Sequence, residues 1–161
     1  MSALILHNIR SVYNVGSIFR TADAAGVSKI ILSGYTPTPL DRFGLPRKDF
    51  AKVSLGAEKT IPWIQTKTLA AAIKRLKKEN YFVAAVEQAK NSTSLFDFKA
   101  PFDKTQGKPK PIALILGNEV KGISKQSLKL VDAVLEIPMR GKKESLNVSV
   151  AAGIVMFVLL Y

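Results

Sequence analysis

The chain has 161 residues, enough for one ordinary domain with a buried core. Apolar residues make up 47%, and 24 lysines and arginines stand against 12 acidic residues, a formal charge of +12, which excludes a disordered chain and points to phosphate-bearing partners, nucleic acid first. There is no cysteine and one histidine, His7, so disulfides, cysteine-held zinc, iron–sulfur clusters, thiol nucleophiles, a histidine metal cluster and a Ser-His-Asp triad are all disfavoured, and no metal is expected.

At the N-terminus, MSALILHNIRS lacks the basic start and long apolar run of a signal peptide. The apolar residues around Leu4 predict a strand. Val15 to Gly26 has helical spacing, with Ile18, Ala22 and Ala25 on one face, Asn14 as a capping group and Gly26 as the stop. KIILSG follows as a buried strand, then a Pro- and Gly-rich loop from Gly34 to Asp49. Thr68 to Asn80 is the clearest amphipathic helix, apolar at Leu69, Ile73 and Leu76 and basic at Lys74, Lys77 and Lys78. YFVAAVE predicts a strand, Lys104 to Pro111 an exposed loop, and PIALILG a continuous apolar strand. KQSLKLVD predicts a short helix with Ser124 as its cap, AVLEIPM a strand, and Asn147 to the end a last helix.

Strands alternating with helices, the strands being continuous apolar runs, predict an α/β fold with a parallel sheet covered on both faces. No repeat or linker divides residues 1–161, so a single domain is expected. The last helix is apolar nearly all round, yet Val148 to Tyr161 is shorter than the roughly 20 residues a membrane span needs. A soluble, cytoplasmic protein is expected, with a second subunit covering that helix in a homodimer.

Three polar segments lie at strand ends or helix starts, where open α/β sheets bind ligands. Asn14 to Gly26 reads as a capped helix with one exposed arginine, Arg20, or as part of a site. Leu114 to Ser124 runs an apolar strand into Gly117, Asn118, Glu119 and Gly122, which suits either a tight turn or close backbone approach to a ligand. It is neither a Walker A loop nor a GxGxxG turn. Ile137 to Gly153 ends a strand at a proline, adds a basic loop with Arg140, Lys142 and Lys143, and reaches Ser145 and Asn147. Those two are simple caps or ligand groups, and the loop is a solvated turn or a phosphate holder.

Taken together, the three segments resemble the three motifs of the SpoU/TrmH family within the SPOUT methyltransferases. The resemblance covers essentially the whole chain, without departure at the polar motif positions. It implies a C-terminal deep trefoil knot over approximately residues 112–161 and a minimal catalytic domain with no extra RNA-binding domain. It implies S-adenosylmethionine held at Gly117, Ile137, Met139, Ser145 and Leu146, largely by backbone groups. It also implies a homodimer with the active site at its interface, and methyl transfer to a ribose 2′-hydroxyl of tRNA or rRNA by Asn14, Arg20, Glu119, Ser145 and Asn147.

Within that scheme Arg20 serves as base or as phosphate clamp. A guanidinium, whose pKa lies far above neutral, hardly ever releases its proton, which favours the clamp. Glu119 is expected to hold Arg20, and Asn14 to orient Arg20 or the hydroxyl. The positive charge makes Arg10, Arg42, Arg47, Lys48, Arg140, Lys142 and Lys143 candidate RNA contacts, against ordinary solubility charge. His7 reads as a turn or partly buried residue rather than a catalyst, and Tyr35 and Trp63 as core or loop packing, although the two aromatics also suit base stacking. The alternatives are a SPOUT enzyme that methylates a base and a non-catalytic knotted RNA-binding dimer.

Overall fold

The alternation of apolar runs and helical segments becomes a β/α succession in a computed structural model that describes residues 2–103, 105 and 107–160. β1 (Ser2–His7) leads to α1 (Val12–Ala24) and β2 (Lys29–Ser33). α2 (Lys48–Ser54), α3 (Ala57–Thr60) and β3 (Trp63–Thr66) follow, then α4 (Leu69–Lys78) and β4 (Phe82–Val86). The two-residue strands β5 (Thr93–Ser94), β6 (Phe102–Asp103) and β7 (Lys108–Pro109) precede β8 (Ile112–Leu116). α5 (Lys125–Leu128), β9 (Ala133–Glu136) and α6 (Val148–Leu159) come last.

Seven strands form one sheet in the order β3-β2-β1-β8-β4-β9-β5, and every pairing in it is parallel. Alternate residues feed two apolar layers, as the two-residue period of a strand requires. Leu4, Leu6, Ile30, Leu32, Leu114 and Leu116 meet α1 and α6 on one face. Ala3, Ile5, Ile31, Val83, Ala113 and Ile115 meet Leu69, Ile73 and Leu76 of α4 on the other. The central strands are therefore buried on both sides and carry no polar alternation.

Register brings the carboxyl ends of the central strands to one edge. Leu6 pairs with Leu116, Leu116 with Val86, and Val86 with Leu135. The loops that leave these strands start side by side there.

α1 starts earlier than its apolar spacing suggested. Ser11 is its N-cap, in extended conformation, and accepts from the Asn14 N–H at 3.2 Å. Asn14 thus lies inside the first turn rather than capping it, and its side chain is released for other contacts. Ala25 is the C-terminal cap, with Gly26 just beyond. The segment read as loop to Asp49 gives way to α2 at Lys48, and α2, α3 and β3 occupy a stretch where no element was expected. Thr68, Ser124 and Asn147 cap α4, α5 and α6, each accepting a backbone N–H in the following turn. The helix expected over KQSLKLVD stops at Leu128, and the following strand at Glu136. The exposed loop expected from Lys104 contains β7, while Lys104 and Gln106 lie outside the described residues.

α6 lies along α1. Its Val148, Ala152, Val155 and Met156 are buried, and a Cβ added at Gly153 would stand 3.6 Å from Thr21 Cγ2. The opposite face carries Val150 at 51% exposure and Phe157 at 46%. Among the described residues, no helix is long and apolar enough to cross a membrane.

Candidate active site

The turn after β8 is shaped by two glycines and an asparagine. At Gly117 an added Cβ would lie 2.6 Å from Ile123 Cγ1 and 3.0 Å from the Gly122 carbonyl carbon, so the chain closes on itself only without a side chain. Gly122 has φ +60°, and a Cβ there would lie 2.2 Å from Glu87 Oε2. Asn118 holds the turn between them. Its Oδ1 accepts from the N–H groups of Val120 (2.9 Å) and Lys121 (2.7 Å). Its Nδ2 donates to the Asn8 carbonyl and the Tyr35 hydroxyl, both at 2.9 Å. Glu87, just beyond β4, clamps the far end by accepting the Ile123 N–H at 2.8 Å.

This turn forms one wall of a cleft at the strand ends. A cavity of about 340 Å³ is lined by Glu87, Gly117, Glu119, Gly122, Ser145 and Leu146, among others. A neighbouring cavity of about 150 Å³ shares Glu87, Glu144, Ser145 and Leu146 and adds Ile137 and Met139. All five residues expected to hold a cofactor, Gly117, Ile137, Met139, Ser145 and Leu146, therefore line one continuous cleft.

Three of the expected catalytic residues form a line along its rim. Asn147 Nδ2 donates to Asn14 Oδ1, and Asn14 Nδ2 donates to Glu119 Oε1, both at 3.3 Å. Glu119 Oε2 accepts from the Arg10 N–H, also at 3.3 Å. Asn147 Oδ1 is taken by the Ser149 N–H at 2.8 Å and hydroxyl at 2.7 Å, which fixes the amide and directs its Nδ2 at Asn14. The line joins the first turn of α1, the glycine turn and the cap of α6.

Arg20 stands apart. It is exposed on α1, and the Glu119 carboxylate meets Asn14 and the Arg10 backbone instead. The expected Glu119–Arg20 pair is thus absent within one chain. The reason is helical geometry: Thr21 faces α6 at Gly153, and Arg20 lies about 100° round the helix from it.

Behind the rim, His7 is partly buried, and burial holds its pKa below the usual imidazole range. Asn8 Oδ1 accepts from the Tyr35 N–H at 3.2 Å, which turns Asn8 Nδ2 toward His7 Nε2 at 3.1 Å. Nε2 is then the acceptor, and the Nδ1–H donates to Ser33 Oγ at 3.1 Å.

The candidate RNA contacts are spread over two regions. Arg10 is exposed beside the rim, and Arg140, Lys142 and Lys143 are exposed on the loop that enters α6. Arg42 and Arg47 lie on the loop after β2, and Lys48 opens α2. Arg47 is committed to Asp49 through Nε at 3.1 Å and Nη2 at 2.8 Å, which raises its own pKa and holds the Asp49 carboxyl below its usual value.

Sequence reasoning did not single out Glu87 or the structural part of Asn118, and it treated Tyr35 as packing or stacking. Asn118 stood inside the glycine segment, so its neighbours marked it. Glu87 carried no signal, because only the fold brings its carboxylate 36 residues along the chain to Ile123.

Comparison with known proteins gives this geometry a family. The chain is 34% identical over 155 residues to the 23S rRNA (guanosine-2′-O-)-methyltransferase RlmB of Ralstonia nicotianae, covering 96% of this chain and 57% of that protein. It superimposes on the AdoMet-bound rRNA methyltransferase of Sinorhizobium meliloti with a TM-score of 0.83 and 29% identity, over 98% of this chain and 54% of that one. The chain thus spans little more than half the length of these relatives. A structure described as giving insight into 2-OH methylation of C/U34 on tRNA shares the fold at TM-score 0.77 and 24% identity, and 92% of its length is covered. Residues 1–157 match the SpoU rRNA Methylase family, and the chain belongs to it.

Proposed function

We propose that this protein binds S-adenosylmethionine in the strand-end cleft and transfers its methyl group to a ribose 2′-hydroxyl of tRNA or rRNA. The observation that carries the reading is the meeting of that cleft with the Asn147–Asn14–Glu119 line on its rim. The names of the relatives support it: one is a ribose-directed rRNA methyltransferase, and another was solved with AdoMet bound.

The cleft fits the cofactor. Ile137, Met139 and Leu146 supply an apolar wall for an adenine, and Gly117 lines the adjoining cavity in a turn that only glycine allows. Glu87 and Glu144 place two carboxylates on the cleft wall, complementary in sign to a cationic ligand. When bound, S-adenosylmethionine supplies a methyl group on a positively charged sulfur.

The chain's own residues then have to align a hydroxyl and stabilise the charge that develops on its oxygen. Alignment can be worth up to roughly 7–11 kcal/mol in the best cases. Asn14, held between Glu119 and Asn147, positions the ribose, and Ser145 faces the cleft beside it. Arg20 clamps the phosphate next to the target and stabilises the oxyanion, because its guanidinium keeps its proton. Arg10, Arg42, Lys48, Arg140, Lys142 and Lys143 track the RNA backbone, while Arg47 stays with Asp49.

The reading includes a homodimer and a knot. The exposed Val150–Phe157 face of α6 suits a second copy, which would bring a partner's Arg20 to a cleft that lacks its own. The knot is proposed over approximately residues 112–161, where the 137–147 connection shares the cleft with the Gly117–Gly122 turn. The test is calorimetric titration of S-adenosylmethionine and its demethylated product. Saturable binding of one ligand per subunit is expected; no binding, even with RNA present, overturns the reading.

A further inference from the structure

The proposed transfer leaves unexplained a built, apolar-tipped loop beside the cleft. Leu40 bridges to Pro46, the Arg47 N–H donates to the Pro39 carbonyl at 2.9 Å, and the Asp41 N–H donates to the Leu45 carbonyl at 2.8 Å. The Asp41 carboxylate closes the tip by accepting the N–H groups of Phe43 (2.8 Å) and Leu45 (2.9 Å). These bonds fix the tip's shape, yet it points apolar groups at water: Phe43 is 72% exposed and Leu45 61%. The Arg42 guanidinium lies 4.7 Å from the Phe43 ring centroid, covering one face and leaving the other open.

The loop is tied to the site at one foot and to α1 at the other. Tyr35 accepts from Asn118 in the glycine turn. At the other end Phe50 meets Phe19 of α1 edge-on, with ring centroids 5.2 Å apart, and α1 carries Asn14 and Arg20. The charge is one-sided. Asp41 is engaged by backbone N–H groups and Asp49 by Arg47. Arg42, Lys48 and Lys52 have no ion-pair partner among the described residues. An open aromatic face, a stacked guanidinium and unpaired cations suit a nucleobase with its phosphates; on a second copy of this tip the same cations would repel.

We propose that Phe43 and Arg42 form a stacking platform for an unpaired RNA base, so that the 39–47 tip selects looped or single-stranded RNA for the cleft. This rests on the RNA reading above. The test compares a stem–loop RNA with the fully paired duplex of the same stem, bound to the full-length protein and to its Phe43→Ala and Phe43→Tyr variants. The native protein should prefer the stem–loop. Phe43→Ala should lose roughly 5- to 150-fold on the stem–loop, the span one stacked base carries, and little on the duplex. Phe43→Tyr should keep the preference, and all three should bind S-adenosylmethionine and sediment alike. An unchanged preference in Phe43→Ala, no RNA binding by the native protein, or altered sedimentation of Phe43→Ala overturns the platform; the last means that a second copy covers the tip. Loss of cofactor binding by the native protein instead strikes the methyltransferase reading and leaves the RNA comparison to judge the tip.

Discussion

Arg20 is the residue on which the proposed chemistry turns. A guanidinium that clamps a phosphate uses a planar fork, and lysine keeps the charge but loses the fork. Arg20→Lys should therefore lower kcat by about 100-fold while leaving cofactor affinity unchanged. Near-native activity that rises with pH toward the lysine range would instead mark a proton acceptor. His7 makes a separate, pH-dependent prediction. Its folded-state pKa lies below the ordinary 6.5, because burial disfavours the charged imidazolium. Above that value both folded and unfolded chains are neutral, and stability is full. As pH falls through it, the unfolded chain takes up a proton that the folded chain refuses, so stability declines until the lowered folded value is passed. Denaturant titrations at about pH 7.5 and about pH 5.5 should show this decline in the native protein and a smaller one in His7→Gln. The carboxyls of Asp49 and Glu79, both lowered by basic partners, lose their contribution only at more acidic pH. An equal decline in His7→Gln would assign the effect elsewhere.

Among the elements, α6 carries the strongest claim. A helix with Val148, Ala152, Val155 and Met156 buried against its own chain still offers Val150 and Phe157 to solvent. Phe157→Glu should turn a dimer into a monomer in sedimentation without unfolding it, because the changed side chain lies outside the core. A native protein that sediments as a monomer would contradict the dimer outright. Long apolar runs made α6 and the central strands legible in the sequence, and apolar periodicity did the same for α4. Both left α2, α3 and β3 hidden. α2 spans seven residues and α3 four, too few turns to show a period, and β3 is an edge strand only partly buried. The start of α1 was misplaced for a different reason. Ser11 and Asn14 are both good capping types, and only the backbone decides that Ser11 caps while Asn14 turns to Glu119.

For the whole molecule, the parallel sheet and the family were readable because three polar segments punctuate apolar strands in a fixed order. The convergence of those segments was not. Asn14, Glu119 and Asn147 are more than 100 residues apart at the extremes; the first two meet because β1 and β8 are neighbours in the sheet, and Asn147 joins them because α6 packs along α1. Glu87 joined them without any motif, through the register of β4 against β8. Ribose methylation has a chemical signature that tests the central claim directly. Alkaline cleavage of RNA needs a free 2′-hydroxyl, so a 2′-O-methyl group protects the adjoining phosphodiester bond. The measurement is to incubate the protein with methyl-labelled S-adenosylmethionine and pooled tRNA and rRNA, then hydrolyse the RNA with alkali. Ribose methylation puts the label in alkali-resistant dinucleotides; label in mononucleotides, or none in the RNA, would rule it out.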